Sequence, residues 1–317
     1  MGYKLPLMSS SRLQTALILG LSIVFASCNR DNKSPSTDSS NLIVSTRPLS
    51  GSSHANTGWD GVDAGPVMIL AAADNPVTAA VVLPGESDST LAAMTSFQLD
   101  SLASLPVELF SAGGSAQESS LKVSSQRATS EGCVAWPVAQ LSSQPGLPWK
   151  VGFAKGRATP LQLDSIDGMS PVDSASATTE LAKLASAASV KSDPAFQGLP
   201  FIVQKGYRTS FGKTLILIGS IVRKINEEAT PRVESLLLVA EKPDGPGDYA
   251  TAFQSRTSGT EDDVRTNAVV AAVHFVHTNR PALVVSFEYD DGGQVALLER
   301  VADHDWRITW RSAYTGC

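Results

Sequence analysis

Residues 206–214 (GYRTSFGKT) contain a glycine, a spacer and Gly-Lys-Thr, the residue types with which a phosphate-binding loop surrounds a nucleotide. Such a loop needs four residues between its glycines, so that backbone N–H groups converge on the phosphates, whereas five residues separate Gly206 from Gly212. The apolar stretch that follows, LILIGSIV, favours a strand over the helix that should hold the phosphate. The sequence therefore predicts a hairpin turn here and no nucleotide as partner.

His274 and His277 have a spacing that would let both rings bind a metal ion from one face of a helix. On a strand the same spacing sends the two rings to opposite faces, and the stretch 268–276 (AVVAAVHFV) fits either structure. His54 and His304 lie in a polar tail and a turn, and they offer no third ligand. We therefore expect no metal at this pair.

Three acidic groups could supply oxygen ligands to calcium: residues 60–63 (DGVD), Glu261-Asp262-Asp263 and Asp290-Asp291-Gly292-Gly293. None has the alternating acidic spacing of a calcium-binding loop, and Asp-Asp-Gly-Gly is a good hairpin turn in its own right. The sequence predicts no metal site in these groups.

Catalytic residues are not marked by any motif. A hydrolase with a nucleophile elbow needs Gly-x-Ser-x-Gly, and neither Ser220 nor Ser258 has both glycines. Acid–base catalysis would need carboxylates that meet in the fold. The candidates are Glu227, Glu228, Glu234 and Glu241. The sequence thus favours a protein that is not an enzyme and has no cofactor, with an unrecognised hydrolase site as the alternative.

Two β-rich regions are predicted, in residues 59–165 and 196–317. Short apolar runs alternate with turn signals such as Asn75-Pro76, and the runs are longer after residue 196. Sequential strands with short turns pair antiparallel, so we expect a mainly β protein with a sandwich or barrel. Trp306 and Trp310, four residues apart on one predicted strand, should face the same side.

One helix is predicted near residues 171–189, inside a connector that covers residues 166–195. Ser170 can cap it, Pro171 takes the first helical position and Asp173 stands where a capping-box acid would. Leu181 and Leu184 recur at helical spacing. We expect this helix to pack on a sheet.

Residues 1–28 have the features of an export signal. Lys4 and Arg12 precede an apolar run, 16–26 (ALILGLSIVFA), which is too short to span a bilayer. Residues 24–28 (VFASC) resemble the lipobox of bacterial lipoproteins, with Phe25 where Leu is usual. The resemblance implies removal of residues 1–27 and acylation of Cys28, including palmitate. An ordinary secretory signal that ends near a cysteine is the alternative.

Residues 28–58 are rich in Ser, Asn, Thr and Gly, a composition that suits a flexible tether between a lipid and a folded body. Three acyl chains on Cys28 would exceed the two signals that stable membrane attachment needs. Asn29 replaces the Asp that inner-membrane lipoproteins commonly carry, so the resemblance implies the outer membrane, facing the periplasm.

The charge and the remaining cysteines limit the partners. The formal net charge is −6, and it becomes −8 once Lys4 and Arg12 are removed with the signal. A mildly acidic surface argues against nucleic acid, which needs a basic stripe. In an oxidising compartment Cys133 and Cys317 would pair with each other, the alternative being a covalent dimer through Cys317.

These observations predict a lipid-anchored cell-envelope protein with a binding or structural role. Cys28 would attach it to the membrane, and an envelope protein would be its partner. The alternative is a periplasmic hydrolase whose active site carries no recognised motif.

Overall fold

The computed structural model describes residues 68–72, 75–82, 102–123, 136–188, 192–226, 230–260, 263–289 and 292–316. These residues form a mainly β structure with antiparallel strand pairing, as the sequence predicts. The predicted signal, the tether and all three cysteines lie outside the described residues.

A closed six-stranded barrel comes first in the chain. Its strands are β1 (Met68–Ala71), β2 (Thr78–Val82), β3 (Pro106–Phe110), β4 (Ala116–Val123), β5 (Val138–Leu141) and β6 (Val151–Ala154), in the spatial order β1-β2-β5-β4-β3-β6. Ile69, Val81, Leu109 and Leu121 are among the side chains that form its buried core. Gly152 is required there, because a Cβ atom would lie 2.9 Å from both the Ile69 and the Leu109 side chains. Gly152 pairs with both residues, so its missing side chain leaves room in the core for side chains of the two adjacent strands, β1 and β3.

Two antiparallel sheets follow. Sheet I contains β8 (Asp164–Ser165), β9 (Ile202–Phe211), β10 (Thr214–Ile225), β11 (Arg232–Pro243) and β12 (Ala250–Thr260), in the order β12-β11-β10-β9-β8. Sheet II contains β7 (Ala158–Leu161), β13 (Thr266–Phe275), β14 (Arg280–Tyr289), β15 (Gly292–Ala302) and β16 (Asp305–Arg311), in the order β16-β15-β14-β13-β7. The short strand β17 (Thr315–Gly316) also pairs with β15. Sheet I is thus a four-stranded meander extended by one short strand, and sheet II is a four-stranded meander with two short strands, β7 and β17, added to it.

The body is layered. Ile218 and Leu237 of sheet I pack against Val285 and Leu298 of sheet II, which makes the sandwich core. The other face of sheet II packs against the outside of the barrel, where Phe153 contacts Phe275 edge-on at 5.6 Å between ring centroids. Both faces of sheet II are therefore buried, which explains why its strands are apolar on successive residues and lack clean alternation.

The predicted helix is α1 (Pro171–Ala187), and it covers the outer face of sheet I. Ser170 caps it: its Oγ accepts a hydrogen bond from the Asp173 N–H at 3.2 Å and donates one to the Asp173 carboxylate at 2.7 Å. Leu181 is fully buried, and a Cβ atom on Gly219 would lie 2.8 Å from its Cδ2. Gly219 therefore lets the helix approach the sheet closely.

The expectation that Trp306 and Trp310 share a face is wrong. Trp306 is buried in the sandwich core, whereas Trp310 packs on the opposite side of sheet II, against the barrel. Leu297 pairs with Trp310 and Leu298 pairs with Ile308, so Thr309 is an extra residue on β16. This β-bulge reverses the alternation of side chains along the strand. The stretch 268–276, undecided from sequence, is a strand that ends at Phe275.

Candidate functional site

The glycine-rich stretch 206–214 is a hairpin, which confirms the prediction. β9 continues through Gly206 to Phe211, and the two-residue turn Gly212-Lys213 leads directly into β10. Gly212 has a φ of 57°, a left-handed conformation that glycine adopts easily. Gly206 is buried beneath Ile166 and is part of the strand, so no loop surrounds a phosphate here.

The two histidines do not share a site. His274 lies on β13, where its ring stacks on Phe211 at 5.3 Å and its Nε2 lies 2.9 Å from Asn279 Oδ1. His277 lies in the exposed turn beyond the end of that strand. In the part of the chain that the structure describes, no group of three or more His, Cys, Asp or Glu side chains is arranged to bind a metal ion.

A buried ion cluster, here called the Arg223 cluster, comprises Ser192, Arg223, Glu234 and Arg256. Arg223 and Glu234 are directly opposite each other on β10 and β11, and the guanidinium Nε donates to Glu234 Oε2 at 2.8 Å. Arg256 Nη1 lies 2.9 Å from the same oxygen, without hydrogen-bond geometry, and its Nη2 donates to the Ala188 carbonyl at 2.9 Å. One fully buried carboxylate is therefore shared by two guanidiniums.

The Arg223 cluster fixes the segment between α1 and β9. Ser192 Oγ donates to Glu234 Oε1 at 2.9 Å and also contacts Arg223 Nη2. Arg223 Nη1 donates to the Phe196 carbonyl at 2.7 Å, and its guanidinium lies 4.3 Å from the centroid of the Phe201 ring. The contacts join this segment to sheet I, which is a structural role for the buried charges.

A second cluster, here called the Glu241 cluster, joins the two sheets. The fully buried Glu241 of β11 accepts hydrogen bonds from Arg300 at 2.7 and 3.0 Å, from the Trp306 indole at 2.5 Å and from the His304 backbone N–H at 3.0 Å. Burial alone raises the pKa of Glu241, but the hydrogen bonds and the positive charge of Arg300 outweigh burial and lower its pKa. The carboxylate stays ionised and satisfied.

Glu234 and Glu241 do not form a catalytic pair. They lie seven positions apart on a regular strand and face opposite sides of sheet I. Each is bonded to arginine side chains within its own cluster. Glu227 and Glu228 lie outside the described residues, so their part of the prediction stays a prediction.

A small polar group lies inside the sandwich. Asn267 donates to Ser235 Oγ at 3.0 Å, and Ser220 Oγ donates to the Asn267 carbonyl at 3.0 Å. All three side chains are buried. These bonds connect β10, β11 and β13, so they also join the two sheets.

A shallow surface depression of about 370 Å³ lies on the barrel, lined by Ser111, Ala112, Gly113, Ser115, Leu147, Pro148 and Lys150. Its lining contains one ionisable side chain, Lys150, and no member of either ion cluster. Within the described residues, no helix is long and apolar enough to cross a membrane.

Sequence reasoning missed the arginine partners. Arg223 directly follows a mostly apolar run, residues 215–222 (LILIGSIV), so a charged residue in a strand predicted to be buried was the available signal. Arg300 is 59 positions from Glu241 and gives no local signal. Comparison with known proteins adds no assignment, because no family model, no curated protein and no solved structure matches this chain.

Proposed function

We propose that the chain is a lipid-anchored protein of a bacterial cell envelope, attached through Cys28 to the outer membrane and facing the periplasm, and that its folded body has a binding or structural role. Three features support the proposal: the lipobox-like signal, the polar tether and the layered β body. Cys28 supplies the attachment, and the surface of the body would meet an envelope partner.

The proposal that the body is not an enzyme is supported by the way in which its buried carboxylates are paired with arginines. Glu234 and Glu241, the described members of the candidate acid–base set, are each bonded to arginine side chains from other strands. An ion pair of this kind leaves an uncompensated buried charge when either partner is removed, so its members serve the fold. Glu234 and Glu241 therefore connect different parts of the fold: Glu234 the segment after α1 with sheet I, and Glu241 the two sheets.

Metabolic labelling with palmitate tests the anchor. The wild-type protein is expected to incorporate label and to begin at Cys28 after processing, and Cys28→Ser is expected to incorporate none. Cys133→Ser/Cys317→Ser is the matched control, because it removes both other cysteines, leaves no unpaired thiol and should keep the label. A labelled Cys28→Ser protein would contradict the proposed attachment.

A second experiment separates the signal from the body. When an ordinary secretory signal replaces residues 1–28, the body is expected in the soluble periplasmic fraction. A body that stays with the membrane pellet after a high-salt wash would be held by something other than the lipid. Cross-linking and purification of the intact protein from native membranes would identify the partner.

The alternative is a periplasmic hydrolase, and one contact suggests which residues would act as its nucleophile and its base. Ser192 Oγ lies 2.9 Å from the buried Glu234 carboxylate, a distance at which a base could activate a nucleophile. Two arginines bind the same carboxylate, which makes a structural role the better explanation. Ester hydrolysis that disappears in Ser192→Ala, with the fold retained, would favour the hydrolase.

A further inference from the structure

The outer strand β12 differs from the other outer strands of the two sheets. β8 has two residues, β7 has four and contains Pro160, and β16 carries two register irregularities and several charged residues. Short length, proline, bulges and charge all discourage pairing with another chain. β12 has eleven residues, no proline and a single charged residue, Arg256.

The backbone of β12 is regular along its edge. From Phe253 to Thr260 it pairs with β11 in one unbroken register, with a single irregularity near Ala252. None of its eleven residues is buried, and Gln254 and Ser258 are exposed. Within the described residues, β11 is the one strand that pairs with it. Eight residues at about 3.4 Å each give an edge about 27 Å long.

The charge of Arg256 does not protect this edge. Its guanidinium lies on the α1 side of sheet I, where it is paired with Glu234 and donates to the Ala188 carbonyl. Its side chain is 12% exposed. The edge therefore presents backbone hydrogen-bonding groups beside the uncharged side chains of β12, one of which, Ser255, accepts a hydrogen bond from Arg265 at 2.7 Å.

We propose that β12 pairs antiparallel with β12 of a second copy of this chain, so that sheet I continues across a twofold axis. A twofold interface must be complementary to itself, and a charged strand opposite its own copy would repel. β12 limits this repulsion because its one charged side chain lies on the α1 side of sheet I, is only 12% exposed and is paired with Glu234 of its own chain. The ten other residues of β12 are uncharged, so a second β12 matches the polar, uncharged character of this strand.

Sedimentation of the intact protein in detergent, with a reductant present, tests the proposal. Reduction removes any covalent dimer through cysteine. We expect a reversible dimer, with amide exchange in β12 slowing as the protein concentration rises and exchange in β16 unchanged. The double variant Gln254→Lys/Ser258→Lys should weaken the dimer at least about tenfold, because like charges would meet across the interface.

The matched control is Ser176→Lys/Ala187→Lys, which adds the same charge on the exposed side of α1. It should leave the dimer intact. The proposal would be overturned by a protein that stays monomeric at all concentrations, by a dimer that the β12 variant does not weaken, or by β12 amides that are already protected in the monomer. The last result would mean that a different segment or protein covers the edge. The exchange measurement needs no variant, so it remains decisive if the lysine variant fails to fold.

Discussion

Trp306 donates its indole N–H to Glu241 at 2.5 Å, and this bond joins sheet II to sheet I inside the sandwich. Arg300 and the His304 backbone complete the set of donors to the same carboxylate. Glu241 is fully buried, so the donors replace the water that the charge would otherwise bind. The two sheets are therefore held together by hydrogen bonds to one carboxylate as well as by apolar packing.

Glu241→Gln should lower the free energy of unfolding by about 3 kcal/mol, because it leaves Arg300 without its buried counter-charge. Urea denaturation monitored by tryptophan fluorescence measures the change. Asp303→Asn is the matched control, since Asp303 also bonds Arg300 but its side chain is 87% exposed. The control should stay within about 0.5 kcal/mol of wild type. Equal effects of the two substitutions would show that burial of Glu241 is not what matters.

Stability should fall in acid. The folded-state pKa of Glu241 lies below its ordinary value of 4.5, so its ionised form contributes stability that is present above that pH. The contribution is lost as the pH falls through the lowered pKa. Unfolding free energies measured between about pH 3 and pH 7 should drop more steeply in wild type than in Glu241→Gln. Parallel curves for the two proteins would contradict the lowered pKa.

Gly206→Ala should destabilise the protein by about 1–3 kcal/mol, because the new methyl group would overlap the Ile166 side chain. Gly168→Ala is a matched control, since no heavy atom lies within 4 Å of its added Cβ. The control should be neutral or slightly stabilising through its effect on the unfolded chain. Thermal unfolding of both variants measures the difference, and a stable Gly206→Ala protein would mean that Ile166 moves away at little cost.

Lys213→Ala should change stability by less than about 0.5 kcal/mol and should leave nucleotide binding absent, because Lys213 is an exposed residue of a hairpin turn. Melting temperatures with and without ATP and magnesium provide the measurement. ATP-dependent stabilisation of wild type that disappears in Lys213→Ala would show that the turn binds phosphate after all.

A disulfide between Cys133 and Cys317 stays a prediction, since both residues lie outside the described residues. Trp136 and Trp310, which lie near them in the sequence, pack on the same hydrophobic cluster between sheet II and the barrel. Closing a loop of this length would constrain the unfolded chain by about 5 kcal/mol in the chain-entropy model. Thiol counting on oxidised periplasmic protein should find neither thiol free. Two free thiols, or a reducible band at twice the mass, would contradict the bridge.

The parts of the fold that the sequence predicted are those that local interactions decide. Ser170 and Asp173 mark the helix start through contacts within four residues, and Gly212 marks a hairpin through its conformation. Antiparallel pairing follows from the short turns. These features need no knowledge of what packs above or below the strand.

Two features depended on distant contacts and could not be predicted. The extra residue Thr309 reverses the faces of Trp306 and Trp310, and nothing in the local pattern distinguishes a bulged strand from a regular one. Thr309 itself donates to Glu299 Oε1 at 2.6 Å, a partner on the neighbouring strand. The Glu241 cluster likewise assembles from β11 and the β15–β16 hairpin, so its members are far apart in the sequence.

The chain leaves the barrel at β6, adds β7 to sheet II and then adds β8 to sheet I. A pulling force applied ahead of Met68 would therefore load the barrel first and would reach the sandwich through strands that are already hydrogen-bonded into both of its sheets. Under tension the barrel should unfold before the sandwich. The sandwich should resist unfolding longer because the force on it would be divided between its two sheets.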